Sequence, residues 1–372
     1  MPRIHRFRAP ALLAALLLAA APALAAGAQR TVEKSFASPP ASFELENLAG
    51  QLELVRSSGP ALRVVATVHS EASAGKSAEE LGRMLDVRFD ESSGLLKVVA
   101  EFPTNEWNRF HYPNPRSSSS GSWEWLGQTR STLQYRGRKV SVVGASSSGT
   151  PTLWVDFRVE VPSGLRVQAR NAVGYVTSTG LEGPQKLDTS SGDIEVRDGA
   201  GALDLDTGSG DIRVADHEGD FLGDTGSGDV RLERVRGERI VADTGSGDVE
   251  LVSVAGALDL DTGSGDLIGR DLEIGERLRA NTGSGDVRLA GDFAAVRDLY
   301  VDTGSGDVLL TVTGGAPSVH LTIDTGSGDV DIDLDEARVK KWKGEVVADI
   351  GSGEGKGTID TGSGDVTLRR GR

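Results

Sequence analysis

The side chains of this sequence that could do chemistry are the aspartates of a repeated hexapeptide, Asp-Thr-Gly-Ser-Gly-Asp, first complete at Asp206 to Asp211. An Asp-Thr-Gly triplet carries the catalytic carboxylate of aspartic proteases, in which two such loops meet and their carboxylates share one proton. A protease needs two triplets well separated in the chain, whereas this chain repeats the triplet at short and nearly regular steps. The spacing therefore argues against a protease and requires another explanation of the motif.

The spacing predicts a stack of strands. Steps of 18, 18, 19, 18, 20, 21, 22, 25 and 11 residues separate successive copies of the motif or its close variants. The copies begin at Asp188, Asp206, Asp224, Asp243, Asp261, Asn281, Asp302, Asp324, Asp349 and Asp360. Apolar and polar residues alternate on both sides, as in Leu203 to Leu205 and Ile212 to Val214, which is typical of strands with one buried face. Each unit is therefore predicted to be a strand, a four-residue corner, a second strand and a second corner of variable length.

The predicted fold is all-β: a single-stranded β-solenoid (β-helix) of about 18–22 residues per rung, right-handed on general grounds, with an irregular aromatic insertion. A sandwich of hairpins is the alternative, but near-identical corners at fixed spacing favour the solenoid. The predicted boundaries are a signal peptide at 1–28, N-terminal solenoid coils at 29–102, an irregular aromatic and Ser-rich insertion at 103–150, bridging rungs at 151–187 and the DTGSGD-repeat solenoid at 188–372.

Three smaller features complete the predicted architecture. Ser77 and Glu80 have the spacing of a capping box, which predicts a short helix after them. Glycines at the third and fifth motif positions, such as Gly208 and Gly210, are expected to supply positive φ at the corner. The arginines of the C-terminal segment 367–372 are expected to lie just past the last strand and to protect the exposed edge of the solenoid.

The first residues have the features of an export signal, because basic residues precede an apolar run and cleavage fits after Ala25 or Ala28. The run is shorter than the roughly 20 residues needed to span a bilayer, so no stable membrane span is expected after cleavage. We predict export to the periplasm, the cell surface or the extracellular space. Residues 1–28 contain three of the 40 Lys and Arg and none of the 55 Asp and Glu, so their removal takes the net charge from −15 to −18. Such a surface disfavours nucleic acid, and the absence of cysteine excludes disulfides and a thiol nucleophile.

Three segments of this chain resemble a known family. They are "ENLAGQLEL" from Glu46, the bridge "VDFRVEVPSGLRVQARNAVGYV" from Val155, and the DTGSGDV rungs that follow. Together with the export signal, they resemble the bacterial putative-adhesin family of exported β-strand-repeat proteins, a domain of unknown function. The resemblance covers residues 40–372 apart from the insertion. It implies a β-solenoid at the cell envelope that acts as an adhesin, scaffold or binding module, and it brings no catalytic residues.

Two hypotheses account for the aspartates of the motif. In the first, the motif is only a corner device, with Asp206 accepting backbone N–H bonds while Thr207 and Ser209 form hydroxyl ladders between rungs. In the second, stacked carboxylates bind Ca²⁺ between rungs, as in β-rolls, because like charges about 5 Å apart are costly unless cations bridge them. The predicted calcium ligands are Asp206, Asp211, Asp224, Asp229, Asp243, Asp248, Asp261, Asp266, Asp302, Asp307, Asp324 and Asp329. No other cofactor is expected.

The insertion is the candidate recognition surface, since aromatic side chains stack on sugars or pack on proteins. Its candidate binding residues are Trp107, Phe110, Tyr112, Trp123 and Trp125, and the expected partner is a cell-envelope protein or glycan. The alternative is that these side chains cover one side of the solenoid as a hydrophobic lid. A carbohydrate-active enzyme on a β-helix is a further alternative, but the repeats offer few aromatic residues to line a substrate groove. We therefore expect no enzymatic activity.

Overall fold

The computed structural model describes residues 27–113, 130–342 and 345–371. Strands make up 65% of these described residues and helix only 2%, so the all-β prediction is confirmed. The elements before the bridge are β1 (Gly27–Phe36), β2 (Ser42–Ala49), β3 (Leu52–Arg56), β4 (Leu62–Glu71), α1 (Ala78–Met84), β5 (Asp86–Ser92), β6 (Leu95–Glu101), β7 (Arg109–His111), β8 (Arg130–Tyr135) and β9 (Arg138–Val143).

The bridge and the repeats contribute the remaining strands. The first of these are β10 (Thr152–Val161), β11 (Arg166–Val173), β12 (Val176–Thr179), β13 (Gln185–Thr189), β14 (Ile194–Ala200), β15 (Leu203–Thr207), β16 (Ile212–Glu218), β17 (Phe221–Thr225), β18 (Val230–Thr244), β19 (Val249–Val252) and β20 (Ala255–Thr262). They are followed by β21 (Leu267–Thr282), β22 (Val287–Asp292), β23 (Asp298–Thr303), β24 (Val308–Val312), β25 (Val319–Thr325), β26 (Val330–Asp333), β27 (Ala337–Trp342), β28 (Glu345–Ile350), β29 (Gly355–Thr361) and β30 (Val366–Arg370).

Successive repeats stack as parallel coils, which confirms the predicted solenoid. We name each coil by the first residue of its motif. The strand before the corner pairs with its counterpart in the next coil in perfect register, as in Asp206 opposite Asp224. The strand after the corner does the same, as in Ile212 opposite Val230. Inward apolar side chains therefore form continuous columns, and Leu205, Ile212 and Val230 among them are fully buried.

Each early coil has a second bend, which lies within or directly after the strand that follows the motif corner. Its position is marked by residues other than glycine in the left-handed region, with φ of 53–56° at Asp198, Asp216, Arg234, Ser253 and Asp271. These residues follow one another at steps of 18, 18, 19 and 18. The second corner is therefore as regular as the first over these coils, whereas the sequence predicted regularity only at the motif.

The N-terminal end of the stack combines one coil with antiparallel strands. Strands β2 and β3 form a coil around Glu46 that stacks directly on the Arg170 coil of β11 and β12. The other strands differ from the predicted solenoid coils at 29–102, since β1 pairs antiparallel with β4, β4 with β10, and β5 with β6. Helix α1 has the predicted capping box between Ser77 and Glu80. Antiparallel strands cover the end of the stack, as a solenoid with unpaired terminal edges requires.

The C-terminal coils are not stacked in chain order. Strand β29 lies between β23 and β25, with Asp360 opposite both Asp302 and Asp324, and β30 lies between β24 and β26. The last repeat of the sequence is therefore the penultimate coil of the stack. The prediction that the C-terminal arginines lie past the last strand is wrong, because Arg369 and Arg370 belong to the inserted strand β30.

The Asp349 copy of the motif does not form a coil. It lies at the end of β28, which runs antiparallel to β25 and to β27. A step of 11 residues to the next copy is too short for two strands and two corners, so this copy instead belongs to a terminal hairpin. The hairpin covers β25, and Arg338 and Lys340 lie along its outer strand β27, where charged residues oppose edge-to-edge association.

Candidate functional site

The threonine of each motif fixes the corner from inside the molecule. In the Asp243 coil, Thr244 Oγ1 donates to the Gly228 carbonyl of the neighbouring coil at 2.8 Å and accepts the Gly247 N–H of its own corner at 3.1 Å. The same two bonds recur at Thr207, Thr225, Thr262, Thr282, Thr303 and Thr361. These threonines are buried, and they link neighbouring coils through backbone groups, whereas the sequence predicted a ladder of hydroxyls.

The motif glycines allow neighbouring corners to approach closely. A Cβ atom on Gly247 would lie 1.9 Å from the Gly228 carbonyl oxygen, and one on Gly210 would lie 1.9 Å from that of Gly192. The expectation that Gly208 and Gly210 supply positive φ is wrong, because neither has φ in the left-handed region. Glycine is required here because any side chain would collide with the backbone of the next coil.

The second aspartate of the motif forms a hydrogen-bonded column. The Oδ1 atom of Asp248 accepts the N–H of Asp266 at 2.8 Å, and the N–H of Asp248 donates to Asp229 Oδ1 at 2.9 Å. The column runs in stack order through Asp193, Asp211, Asp229, Asp248, Asp266, Asp286, Asp307, Asp365 and Asp329 with distances of 2.7–3.0 Å. The hypothesis that the motif aspartates accept backbone N–H groups is thus right for Asp211, whereas Asp206 had been expected to play this part.

Arginines accompany this second-aspartate column. Arg213 contacts Asp193 at 3.2 Å and Asp211 at 2.5 Å. Arg288 likewise contacts Asp266 at 3.2 Å and also pairs with Asp286. The column therefore combines backbone hydrogen-bond donors with arginines that pair with several of its carboxylates.

The first aspartate of the motif forms a column with a different environment. Asp206 and Asp224 lie opposite each other on adjacent strands, and both are exposed. The pKa of Asp206 is raised by partial burial and then by the neighbouring carboxylates of Asp188 and Asp224. The pKa of Asp243 is raised in the same way, first by burial and then by the neighbours on either side. This first-aspartate column is a line of like charges.

The structure thus separates the predicted calcium ligands into two columns. Those in the first-aspartate column are Asp206, Asp224, Asp243, Asp261, Asp302 and Asp324, and those in the second are Asp211, Asp229, Asp248, Asp266, Asp307 and Asp329. Within residues 27–113, 130–342 and 345–371, no group of three or more His, Asp or Glu side chains is arranged to hold a metal ion. Calcium binding stays a prediction, and the first column is the place for it because the second column already uses an oxygen of each carboxylate for the backbone.

The described aromatic residues of the insertion do not form one exposed surface. Phe110 and Tyr112 are buried, with Phe110 packed edge-on against Phe102 at 5.4 Å between ring centroids. Trp107 is half-buried against the same core. Trp123 and Trp125 lie outside the described residues. Phe110 and Tyr112 are therefore unsuited to stacking on a ligand, and their contacts match the hydrophobic lid that the sequence left as the alternative.

Sequence reasoning missed a groove on the outer face of the strands before the corner. Its cavity volume is about 460 Å³. Its floor includes Leu222 and Val241, which lie opposite each other on β17 and β18, and Leu222 is 45% exposed. The charged residues around it are Arg166, Lys186, Asp204, Asp220 and Arg239. Lys186 Nζ lies 2.5 Å from Asp204 Oδ2, and this hydrogen bond raises the pKa of Lys186.

A signal in the sequence could have revealed this groove. The side chain two residues before the first motif aspartate points outward, so alternation predicts a polar residue there. This position holds Lys186 in one coil and Asp204 in the next. In "FLGDTG" and "IVADTG" the same position holds Leu222 and Val241. Apolar residues at an outward position of a repeat indicate a covered or binding surface.

The repeats are similar to a known protein family. Residues 189–296 and 219–369 match the model of the Toastrack DUF4097 family. The resemblance to a repeat family that the sequence indicated is confirmed for these residues. No curated protein matches the chain. In the part of the chain that the structure describes, no helix has the length and apolar character needed to cross a membrane.

Two solved structures are similar to this chain. One is a protein of Clostridium sporogenes described as a putative cell adhesion protein, with 9% identity, a TM-score of 0.19, and coverage of 92% of this chain and 100% of that one. The other is a protein of Parabacteroides distasonis described as a putative lipid binding protein, with 17% identity, a TM-score of 0.37, and coverage of 76% of this chain and 96% of that one. Neither similarity carries an argument about function.

Proposed function

We propose a function from the premise that the repeat region of this chain belongs to the Toastrack DUF4097 family, a domain of unknown function. The chain is an exported, non-enzymatic binding or scaffold module of the cell envelope. Its binding surface is the groove around Leu222 and Val241, and the single observation that carries this assignment is the exposure of Leu222 at a position that alternation reserves for polar residues.

The groove has the composition of a recognition site. An apolar floor provides the free energy of burial, while the surrounding charged groups fix the orientation of a ligand. Arg166, Lys186 and Arg239 supply cations to the lining of the groove, and Asp204 and Asp220 supply anions. This mixed set suits an envelope protein or glycan that has both apolar and polar groups.

Export is supported by the N-terminal sequence. Basic residues precede an apolar run, and the cleavage position after Ala25 leaves the whole of β1, which begins at Gly27, in the mature chain. Cleavage after Ala28 would remove the first two residues of that strand. We therefore favour the earlier position, because β1 pairs along its full length with β4.

A non-enzymatic role is supported by the use of the motif carboxylates. The second-aspartate column is occupied by backbone N–H donors and arginines. In the first-aspartate column the pKa of Asp206 and the pKa of Asp243 are both raised, so these two carboxyl groups lack the opposed pKa shifts of an acid–base pair.

The proposed function is tested by binding of the mature protein to washed cell-envelope material and to a glycan array. We expect the wild-type protein to sediment with the envelope and the Leu222→Asp/Val241→Asp variant to lose this binding with an unchanged melting temperature. Ile268→Asp is the matched control, because Ile268 is 37% exposed on the strands after the corner. Equal binding by the groove variant and the wild type, or no binding by either, contradicts the proposal.

Calcium binding along the first-aspartate column is a second candidate function. It is supported by the register that places Asp224 opposite both Asp206 and Asp243, because a cation would relieve the repulsion between stacked carboxylates. Burial first, and then these neighbouring carboxylates, raise the pKa of Asp206 and of Asp243. We expect millimolar Ca²⁺ to raise the melting temperature of the wild-type protein above its value in EDTA, and to raise it less in an Asp206→Asn/Asp243→Asn variant. An identical melting temperature in Ca²⁺ and EDTA rules this candidate out.

A further inference from the structure

The C-terminal coil occupies a seat between two coils that precede it in the sequence. We define this coil as residues 355–370, comprising β29 and β30. In chain order the Asp302 coil is followed by the Asp324 coil, yet the C-terminal coil lies between them, with Thr361 opposite both Thr303 and Thr325. The seat is therefore formed by one face of the Asp302 coil and one face of the Asp324 coil.

The contacts within the seat are largely those that join other pairs of coils, although Thr325 Oγ1 donates to the Gly328 carbonyl of its own corner. Thr361 Oγ1 donates to the Gly306 carbonyl at 3.1 Å, and the N–H of Asp365 donates to Asp307 Oδ1 at 2.8 Å. On the other side, the N–H of Asp329 donates to Asp365 Oδ1 at 2.8 Å. These hydrogen bonds involve groups that occur in every coil. The C-terminal coil of a second copy of the chain would therefore make the same contacts in this seat.

The connection to the C-terminal coil has the form of a hinge. Only residues 351–354 join β28 to β29, and both Ile350 and Gly355 lie opposite Val319, so the connection passes around the end of β25. It contains Gly351 at φ 61° and Gly353 at φ 72°. This segment belongs to the ninth copy of the motif, which begins at Asp349 and is irregular because the chain reverses direction here instead of forming a corner.

We propose that the C-terminal coil exchanges between two copies of this chain, so that each copy's seat receives residues 355–370 of the other. Opening of the hinge preserves every hydrogen bond and apolar contact of the inserted coil, since the partner supplies an identical seat. Exchange of an identical element is a low-cost route to a dimer, and short hinge loops promote it. The inference does not depend on the groove or its ligand.

A disulfide test distinguishes exchange from internal insertion, because the chain has no cysteine of its own. Tyr300 and Thr358 are register partners on β23 and β29, and their side chains lie on the outer face. The Tyr300→Cys/Thr358→Cys variant is incubated at a series of protein concentrations, oxidised and run on a non-reducing gel. The control is Arg279→Cys/Tyr300→Cys, which joins coils that are consecutive in the sequence.

We expect the test pair to give a covalent dimer whose fraction rises with protein concentration, while the control pair gives a covalently closed monomer. Unchanged melting of the reduced variants shows that both still fold. Insertion of Gly-Ser-Gly-Ser after Gly353 should lower the dimer fraction, because a longer connection relaxes the closed form. A closed monomer for the test pair at every concentration, or a dimer fraction no larger than that of the control, overturns the proposal.

Discussion

The two aspartate columns of this molecule have the same spacing, with Asn281 as the one exception to aspartate in the first column, but their environments differ. Asp243 and Asp248 flank one corner, five residues apart. Asp248 accepts a backbone N–H from the next coil, whereas Asp243 faces the carboxylates of Asp224 and Asp261 and has a raised pKa. A repeated aspartate therefore shows that each coil places the residue at the same point of its corner. Whether that aspartate stabilises the stack depends on the groups that its side chain contacts.

Because their environments differ, the two columns have different roles, one in stability and the other in binding. A carboxylate that accepts a backbone N–H adds a charge-assisted hydrogen bond to each interface between coils. A column of exposed like charges adds repulsion, which solvent and salt screen. The second column thus holds the coils in register, and the first column is free to meet cations or a basic partner.

The largest expected change in stability is at the motif glycines, which lie between the two aspartate columns and allow neighbouring corners to pack closely. Gly247→Ala would place a Cβ 1.9 Å from the Gly228 carbonyl oxygen. Since overpacking of a rigid site typically costs about 1–3 kcal/mol and sometimes more, we expect a loss of at least about 3 kcal/mol in the free energy of unfolding. Thermal or urea unfolding checks this. Gly59→Ala is the control, because a Cβ there has nothing within 4 Å, and an equal loss in both variants would contradict the explanation.

A smaller effect is expected from the buried threonine between the columns. Thr244→Val keeps the shape but removes the donor to the Gly228 carbonyl and the acceptor for the Gly247 N–H. Leaving buried backbone groups without partners costs about 1–3 kcal/mol, and urea unfolding should show a loss of this size. Thr244→Ser retains the hydroxyl and should recover most of it. A serine variant as unstable as the valine variant would show that the methyl group, rather than the hydrogen bonds, stabilises the corner.

The smallest effect concerns the charge of the first column and depends on pH. Because the folded-state pKa of Asp243 is raised, its contribution to stability is unfavourable at neutral pH and improves as pH falls through that pKa towards the ordinary value of 3.8. Asp243→Asn should therefore raise the melting temperature at neutral pH. Because solvent screens the repulsion, the gain in the free energy of unfolding should be less than about 1 kcal/mol, and the difference between variant and wild type should vanish at low pH.

Asp216 provides the opposite case for the same pH series. Its hydrogen bond with Arg234 lowers its pKa, so its contribution is favourable above the unfolded pKa and is lost as pH falls through the folded one. Asp216→Asn should lower the melting temperature at neutral pH. Parallel pH profiles for the two variants would show that their environments do not differ as described.

Much of the fold follows from local sequence. Period-two alternation and the 18-residue step identify the strands and the stacking from Asp188 to Asp302, because each coil contacts mainly its neighbours. The order of the last coils cannot be predicted from the sequence, because the contacts between coils are alike and fit any order. The Asp349 copy also misleads, since it resembles a corner in sequence but does not form one. The antiparallel strands β1, β4 and β5 were also missed, because alternation does not reveal strand direction.

The candidate site was less accessible to sequence reasoning. The motif shows that two aspartates recur, but only the paired coils reveal that Asp211 accepts a backbone N–H and Asp206 faces other carboxylates. Phe110 and Tyr112 suggested a recognition surface through composition, yet both are buried. Leu222 was visible as a break in the alternation, but the groove depends on side chains from several coils.

The most direct test of the account compares Asp248→Ala with Asp243→Ala in urea unfolding at neutral pH. Asp248→Ala removes the acceptor of the Asp266 N–H and should lower the free energy of unfolding by about 1–2 kcal/mol. Asp243→Ala removes only a repelling charge and should leave the stability unchanged or slightly increased. Equal losses in the two variants, or a larger loss for Asp243→Ala, would contradict the division between a structural and a free column.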